Sequence, residues 1–310
     1  MLDAIVVSML DSRLLSRRWK AHTAWVFHFV RSLRTRQRSI LRPLAALLVI
    51  TSFFAAHAAD NPPWLVQTRA NYTLHYSAAD QTQVAEYESF LAKGIAANEA
   101  FFGSTYPKQF DIYIYQDRAS LDTDLQKVIH EPNYKSPCWL QAIGDSEGVH
   151  LLSPLRWDVE TCEGRYTTYA DKQKTQKLIT HELTHVFHGQ TIRDHSPDRM
   201  KDISWFEEGL AVYVAGQLGP FEIHDVQAAL QAHNVPGGLH GIATSDSILL
   251  RYSMMGSLAM YIDRTYGRAK LKGLLQLDSQ KEILSSLGVT ELQFMDGWKH
   301  FMLNSAGMSR

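Results

Sequence analysis

The chain has 310 residues, 45% of them hydrophobic and 20% charged, an ordinary globular composition with room for one large domain or two small ones. Its net charge of −1 conceals an asymmetry, because residues 1–58 carry nine Lys/Arg and two acids, leaving 22 basic and 30 acidic residues in the remainder. A body that acidic gives no support to nucleic-acid binding.

The first distinct segment runs from Pro43 to Ala59 without a Lys, Arg, Asp or Glu. Its core is Leu44-Ala45-Ala46-Leu47-Leu48-Val49-Ile50, basic residues precede it, and Ala56-His57-Ala58 follows as an A-x-A exit. These are the parts of a secretory signal, with a basic region of about 40 residues that is long for one. A retained anchor is the other reading, since a run of about 17 residues stands at the short limit for a membrane span. Residues 1–59 are therefore read as signal or anchor, and the rest as exported, periplasmic or secreted. Both cysteines, Cys138 and Cys162, follow this segment. In an oxidising compartment they are expected to pair, closing a loop of about 24 residues worth about 3 kcal/mol in the chain-entropy model.

After Asp60-Asn61-Pro62-Pro63 the pattern alternates over 72–76, predicting a strand. Val84, Tyr87, Leu91, Ile95, Asn98 and Phe102 recur at three- and four-residue spacing, predicting a helix that stops at Gly103. Residues 110–115 form a β-branched and aromatic strand, 120–129 a short helix and 131–144 a punctuated loop. Residues 148–153 read as a further strand, at the edge of a sheet, ended by Pro154. From Tyr169 the helical period takes over, with helices over 171–188, 205–217, 222–233, 247–266, 268–276, 281–286 and 290–304. Gly189, Gly267 and Gly288 stand where C-terminal stops belong. The fold class is α+β: a small mixed α/β lobe over 60–170 with an edge strand, then a mainly α-helical lobe over 171–310.

The chemistry lies in His181-Glu182-Leu183-Thr184-His185, an H-E-x-x-H sequence inside a helical pattern. Residues four apart lie above one another on a helix, so His181 and His185 can each offer a ring nitrogen to one Zn²⁺. Glu182 is rotated too far round to be a ligand and suits the role of general base. A third ligand is available in Ser204-Trp205-Phe206-Glu207-Glu208-Gly209-Leu210-Ala211. Ser204 and Glu207 have the spacing of a capping box, which gives Glu207 a structural task. Glu208 points about 100° away from it and is free to complete a His₂Glu site. His188, seven residues after His181, lies on the same face as a site-lining group or as a polar residue at a fraying helix end.

This order of parts, H-E-L-T-H followed by Glu208-Gly209-Leu210-Ala211, resembles the gluzincin metallopeptidases, which include thermolysin-like enzymes and zinc aminopeptidases. The later stretch from Tyr252 to Ile262, ending in Tyr266-Gly267, is similar to a helix of bacterial peptidase-MA-like domains. The resemblance spans about 72–275 in order of elements, and 181–215 carries its specific motifs. It implies one peptidase-like unit over 60–310, one zinc ion per chain, a peptide or protein substrate, and hydrolysis by a metal-activated water with Glu182 as base. It also implies a second oxyanion donor, for which Tyr252 is the candidate; on spacing alone Tyr252 is a core residue. The strand at 148–153 would pair with an extended substrate. The chain has no G-x-M-E-N sequence of the kind that holds a substrate amine in zinc aminopeptidases. The same site would also serve a zinc amidase acting on a non-peptide or cell-wall amide. A catalytically silent exported zinc-binding module is the other class, and the intact Glu182 argues against it.

Overall fold

The computed structural model describes residues 64–159, 166–194 and 197–304, with backbone alone for 197–201. The signal-like segment and Cys162 lie outside the described residues, and with Cys162 the expected bridge to Cys138. Among the described residues no helix is long and apolar enough to cross a membrane.

The chain is α+β as expected. Five strands are formed by Leu65–Thr68 (β1), Tyr72–Tyr76 (β2), Phe110–Tyr115 (β3), Ala142–Gly144 (β4) and Gly148–Leu152 (β5). They make one sheet in the order β1-β2-β3-β5-β4, with β2, β3 and β5 parallel and the two outer strands antiparallel to their neighbours. Period-two alternation sets the register. Leu74, Ile112 and Val149 align on one face, and His75, Tyr113 and His150 on the other. The apolar face is covered by Val84–Phe102 (α1) and Lys172–Gly189 (α4), where Tyr87, Phe90, Leu91, Thr175 and Ile179 meet Ile112, Ile114, Val149 and Leu151. Each large aliphatic or aromatic side chain buried there stabilises by about 1.5–3 kcal/mol. Arg118–Val128 (α2) lies by the opposite face, and Pro154–Trp157 (α3) is a single turn after β5.

The helical part comprises Pro197–Val214 (α5), Pro220–Gln231 (α6), Leu239–Ala243 (α7), Ile248–Tyr266 (α8), Arg268–Leu274 (α9), Gln280–Leu287 (α10) and Glu291–Asn304 (α11). Its core is built on α5 against α8, with Trp205, Phe206, Leu210, Met254, Met255 and Leu258 all buried. A Cβ added to Gly209 would stand 2.3 Å from the Met255 carbonyl oxygen. The Gly of the E-G-x-A sequence is thus where one helix backbone touches another.

Three expectations need correction. The strand at 148–153 is not at the edge: β5 lies between β3 and β4, and β4, read from the sequence as loop, is the edge strand. Three residues ending in Gly144 and followed by turn signals are too short to show an alternation. Next, α5 begins at Pro197 rather than near 205, so Ser204 and Glu207 sit within the helix and form no capping box. Proline at the first helical position was the operative start signal. Gly189, finally, is not a left-handed stop, since Gln190 caps α4 in right-handed geometry. Gly189 is needed because a Cβ there would meet the Ser146 backbone nitrogen at 2.9 Å. Gly267 and Gly288, with φ of 90° and 74°, do serve as stops.

On the polar face of the sheet, the Asp124 carboxylate of α2 accepts from the Tyr115 hydroxyl and lies 3.2 Å from His150 Nδ1. The bond to His150, with burial opposing and Tyr115 adding, holds Asp124 well below the usual carboxylate range. A carboxylate whose pKa is depressed by folding adds stability above its unfolded pKa and loses it as pH falls toward the folded value. Asp124→Asn is therefore expected to destabilise by about 1–2 kcal/mol near neutral pH, the lower end for a hydrogen bond to a charged group because the carboxylate is partly exposed. The gap from wild type should narrow below about pH 4, where the unfolded carboxyl protonates. Urea melts at pH 7 and 3.5 check this, and a gap independent of pH would show that the charge is not responsible.

Candidate metal centre

The H-E-x-x-H residues lie in the middle of α4, which Asp171 caps by accepting from the Lys174 N–H. One face of this helix, with Leu178, Ile179, Leu183, Val186 and Phe187, is buried. Two hydrogen bonds fix its height. The Tyr106 hydroxyl donates to the Leu183 carbonyl at 2.9 Å, and Asn98 of α1 donates to the Thr180 carbonyl at 3.3 Å. These carbonyls already serve the helix, so the extra donors lock α4 against sliding.

On the other side His181 and His185 converge, their Nε2 atoms 3.1 Å apart. From α5, Glu208 Oε2 lies 3.4 Å from His181 Nε2 and 3.5 Å from His185 Nε2. The three donors form a near-equilateral triangle, and His181, His185 and Glu208 could hold a metal ion. His181 is fully buried, Glu208 nearly so, and His185 alone keeps some access to solvent. Burial would raise the Glu208 carboxyl, but His185 and His181 outweigh it and hold it down to about 2. Burial would lower His185, but Glu208 overrides it and lifts the ring to about 9. Glu208 and His185 thus each favour the charged form of the other, and a metal would compete with a proton for His185.

The donor set fits a cation on a second ground. Glu208 Oε2, both carboxylate oxygens of Glu182 and the Tyr252 hydroxyl are all buried without a hydrogen-bond partner. A native fold rarely leaves such groups unmatched except where function supplies the partner. Glu182 is wholly buried. Burial raises its pKa, His181 and His185 oppose this, and Glu208 adds to it; the Gly144 backbone also lowers it, from outside hydrogen-bond geometry. The outcome is a carboxylate more basic than usual. Burial likewise raises Tyr252, Glu208 and Glu182 add to it and Arg251 opposes, so its hydroxyl stays protonated.

Of the sequence-derived residues, His181, His185 and Glu208 come together as one group, with Glu182 and Tyr252 buried and electrostatically coupled to it. Glu207 does not join the donor triangle. Its carboxylate lies 3.7 Å from His188 Nδ1, and burial lifts it to about 8 against the pull of His185. His188 is buried edge-on to Phe206, not exposed at a fraying helix end.

Gln217 escaped the sequence reading altogether. After α5 the chain turns through Gly216, with φ of 64°, and brings the buried Gln217 Oε1 to 2.8 Å from His181 Nδ1. An acceptor on Nδ1 fixes the tautomer that leaves Nε2 free for a metal. Only Gly216 hinted at the turn; no motif marks a glutamine three residues past a helix end. Gln217→Ala is expected to weaken metal affinity about 10- to 100-fold while leaving the fold intact. Competition with a chromophoric chelator measures this, and unchanged affinity would remove Gln217 from the site. No protein-family model matches the chain, and no curated protein does either.

Proposed function

We propose that the protein is a zinc-dependent peptidase whose single metal ion is held by His181, His185 and Glu208. The observation that carries this is the donor triangle, with sides of 3.1, 3.4 and 3.5 Å. Tetrahedral ligands at about 2.0–2.1 Å from Zn²⁺ stand about 3.3–3.4 Å from one another. Two imidazoles and one carboxylate are the ligand set of catalytic rather than structural zinc, which keeps a position open for water or substrate. It is also the set that the gluzincin resemblance implies. Zinc there supplies Lewis acidity, polarising a carbonyl and acidifying a water molecule.

The chain's own groups account for the rest of a hydrolysis. Glu182, buried and more basic than an ordinary carboxylate, takes the proton of the attacking water and returns it to the leaving amine. Tyr252, kept protonated, donates to the oxygen of the tetrahedral intermediate. The Gln217 amide keeps the His181 ring turned toward the centre. The edge strand β4 runs beside the base, so closely that a Cβ on Gly144 would stand 2.3 Å from the Glu182 carbonyl oxygen. Its free edge offers main-chain hydrogen bonds to an extended peptide. Export belongs to the same reading, through the signal-like segment at residues 43–59.

Metal analysis should find about one zinc per chain, lost in His181→Ala, His185→Ala and Glu208→Ala but retained in Glu207→Ala. Zinc retained without Glu208 and lost without Glu207 would mean that the other carboxylate is the ligand.

Glu182→Gln should keep zinc and fold but lower peptide hydrolysis at least 10²- to 10⁴-fold, as for a lost general base. A casein or peptide-library digest, with and without chelator, reads this out. Turnover at the wild-type rate would place the activity elsewhere.

A further inference from the structure

Beside this centre stands a cation that pairs with no carboxylate among the described residues. Arg251 lies in the first turn of α8, next to Tyr252. Its guanidinium carbon is 5.5 Å from the centre of the Tyr252 ring, and its Nη1 donates to the Ser245 carbonyl at 3.1 Å. Its Nε is buried and donates to nothing. No carboxylate pairs with Arg251 among the described residues, although Glu182, Glu207 and Glu208 all lie around the neighbouring centre. The Arg251 guanidinium bears on the same Tyr252 hydroxyl that Glu208 and Glu182 act on.

The charges explain why such a group is useful. A divalent ion would match the two negative charges of Glu182 and Glu208. Arg251, beside Tyr252, then remains a positive charge that no carboxylate among the described residues offsets. Leaving a buried donor unpaired is costly, more so on a charged group, and such a cost persists where a ligand supplies the acceptor. With Nη1 held by Ser245, the Nε edge of the guanidinium is left without an acceptor, and that edge can take a carboxylate through two parallel hydrogen bonds.

We infer that Arg251 is a subsite for a substrate carboxylate, so that the preferred substrates are peptides bearing a carboxylate close to the scissile bond. Two sources carry that chemistry: the free C-terminal α-carboxylate of a short peptide, and an internal Asp or Glu side chain. The inference rests on the peptidase reading above and adds substrate class to it.

Two matched peptide sets separate the sources. One pairs short peptides with free and amidated C-termini; the other pairs amidated peptides with Glu and Gln next to the cleaved bond. The zinc-loaded full chain should favour the carboxylate member of at least one pair by about 10- to 100-fold in kcat/KM, the size of a hydrogen bond to a charged group. The discriminating pair names the source. Arg251→Ala should bring that ratio to about one by slowing the carboxylate member alone, and Arg251→Lys should restore part of it. Zinc content and circular dichroism should match wild type in both variants. Calorimetric titration of the same peptides into zinc-loaded Glu182→Gln protein, with and without Arg251→Ala, gives the ratio of affinities without turnover. Equal handling of both members in both pairs by kinetics and binding, or a ratio unchanged in Arg251→Ala, overturns the assignment. If no peptide is cleaved, the peptidase reading fails, while the affinity ratio still decides the role of Arg251.

Discussion

The placement of α4 governs everything else in the molecule. The helix is gripped closely, because two glycines let their neighbours approach nearer than a side chain would allow. A Cβ on Gly94 of α1 would meet Leu183 Cδ1 at 2.7 Å, and one on Gly144 would meet the backbone of Glu182. Asn98 and Tyr106 add donors to carbonyls of the same turn. Backbone contact transmits position more faithfully than side-chain packing, which can relax by changing rotamer. The H-E-x-x-H turn is therefore held against the α/β lobe, while its ligand-bearing side is left for α5 and α8.

A second grip acts from the helical side. Glu208 precedes Gly209, whose Cα rides on the Met255 backbone of α8, and Tyr252 lies one turn before Met255. The third ligand candidate and the candidate oxyanion donor are thus fixed by one helix crossing. Gln217 reaches back to His181 from the end of α5. Ligand, donor and ring orientation all derive from where α5 sits.

Much of this was legible in the sequence, for identifiable reasons. The helix over 84–102, the strand over 110–115 and the H-E-x-x-H helix are long, strongly periodic segments, and their patterns survive tertiary packing. Glu208 does lie with His181 and His185, although the capping box that would set Glu207 aside does not form. Glu207 is not a cap but a carboxylate beside His188, and only the helical offset of one residue was sound. The edge strand was misassigned because β4 has three residues and no alternation to read. Gln217 and Arg251 were silent because their meaning depends on the α5–α8 crossing and the turn at Gly216, and neither leaves a local pattern.

The buried cluster carries a longer-term consequence. His181, Glu182 and Glu208 occupy fully or almost fully buried positions in the molecule's interior, where well-packed apolar side chains would be as stable or more so. Their presence sets stability against use. A lineage that kept the fold but ceased to need the chemistry would gain by replacing them with residues such as Leu or Met. Keeping three polar groups at such depth therefore carries a stability cost that packing alone does not explain.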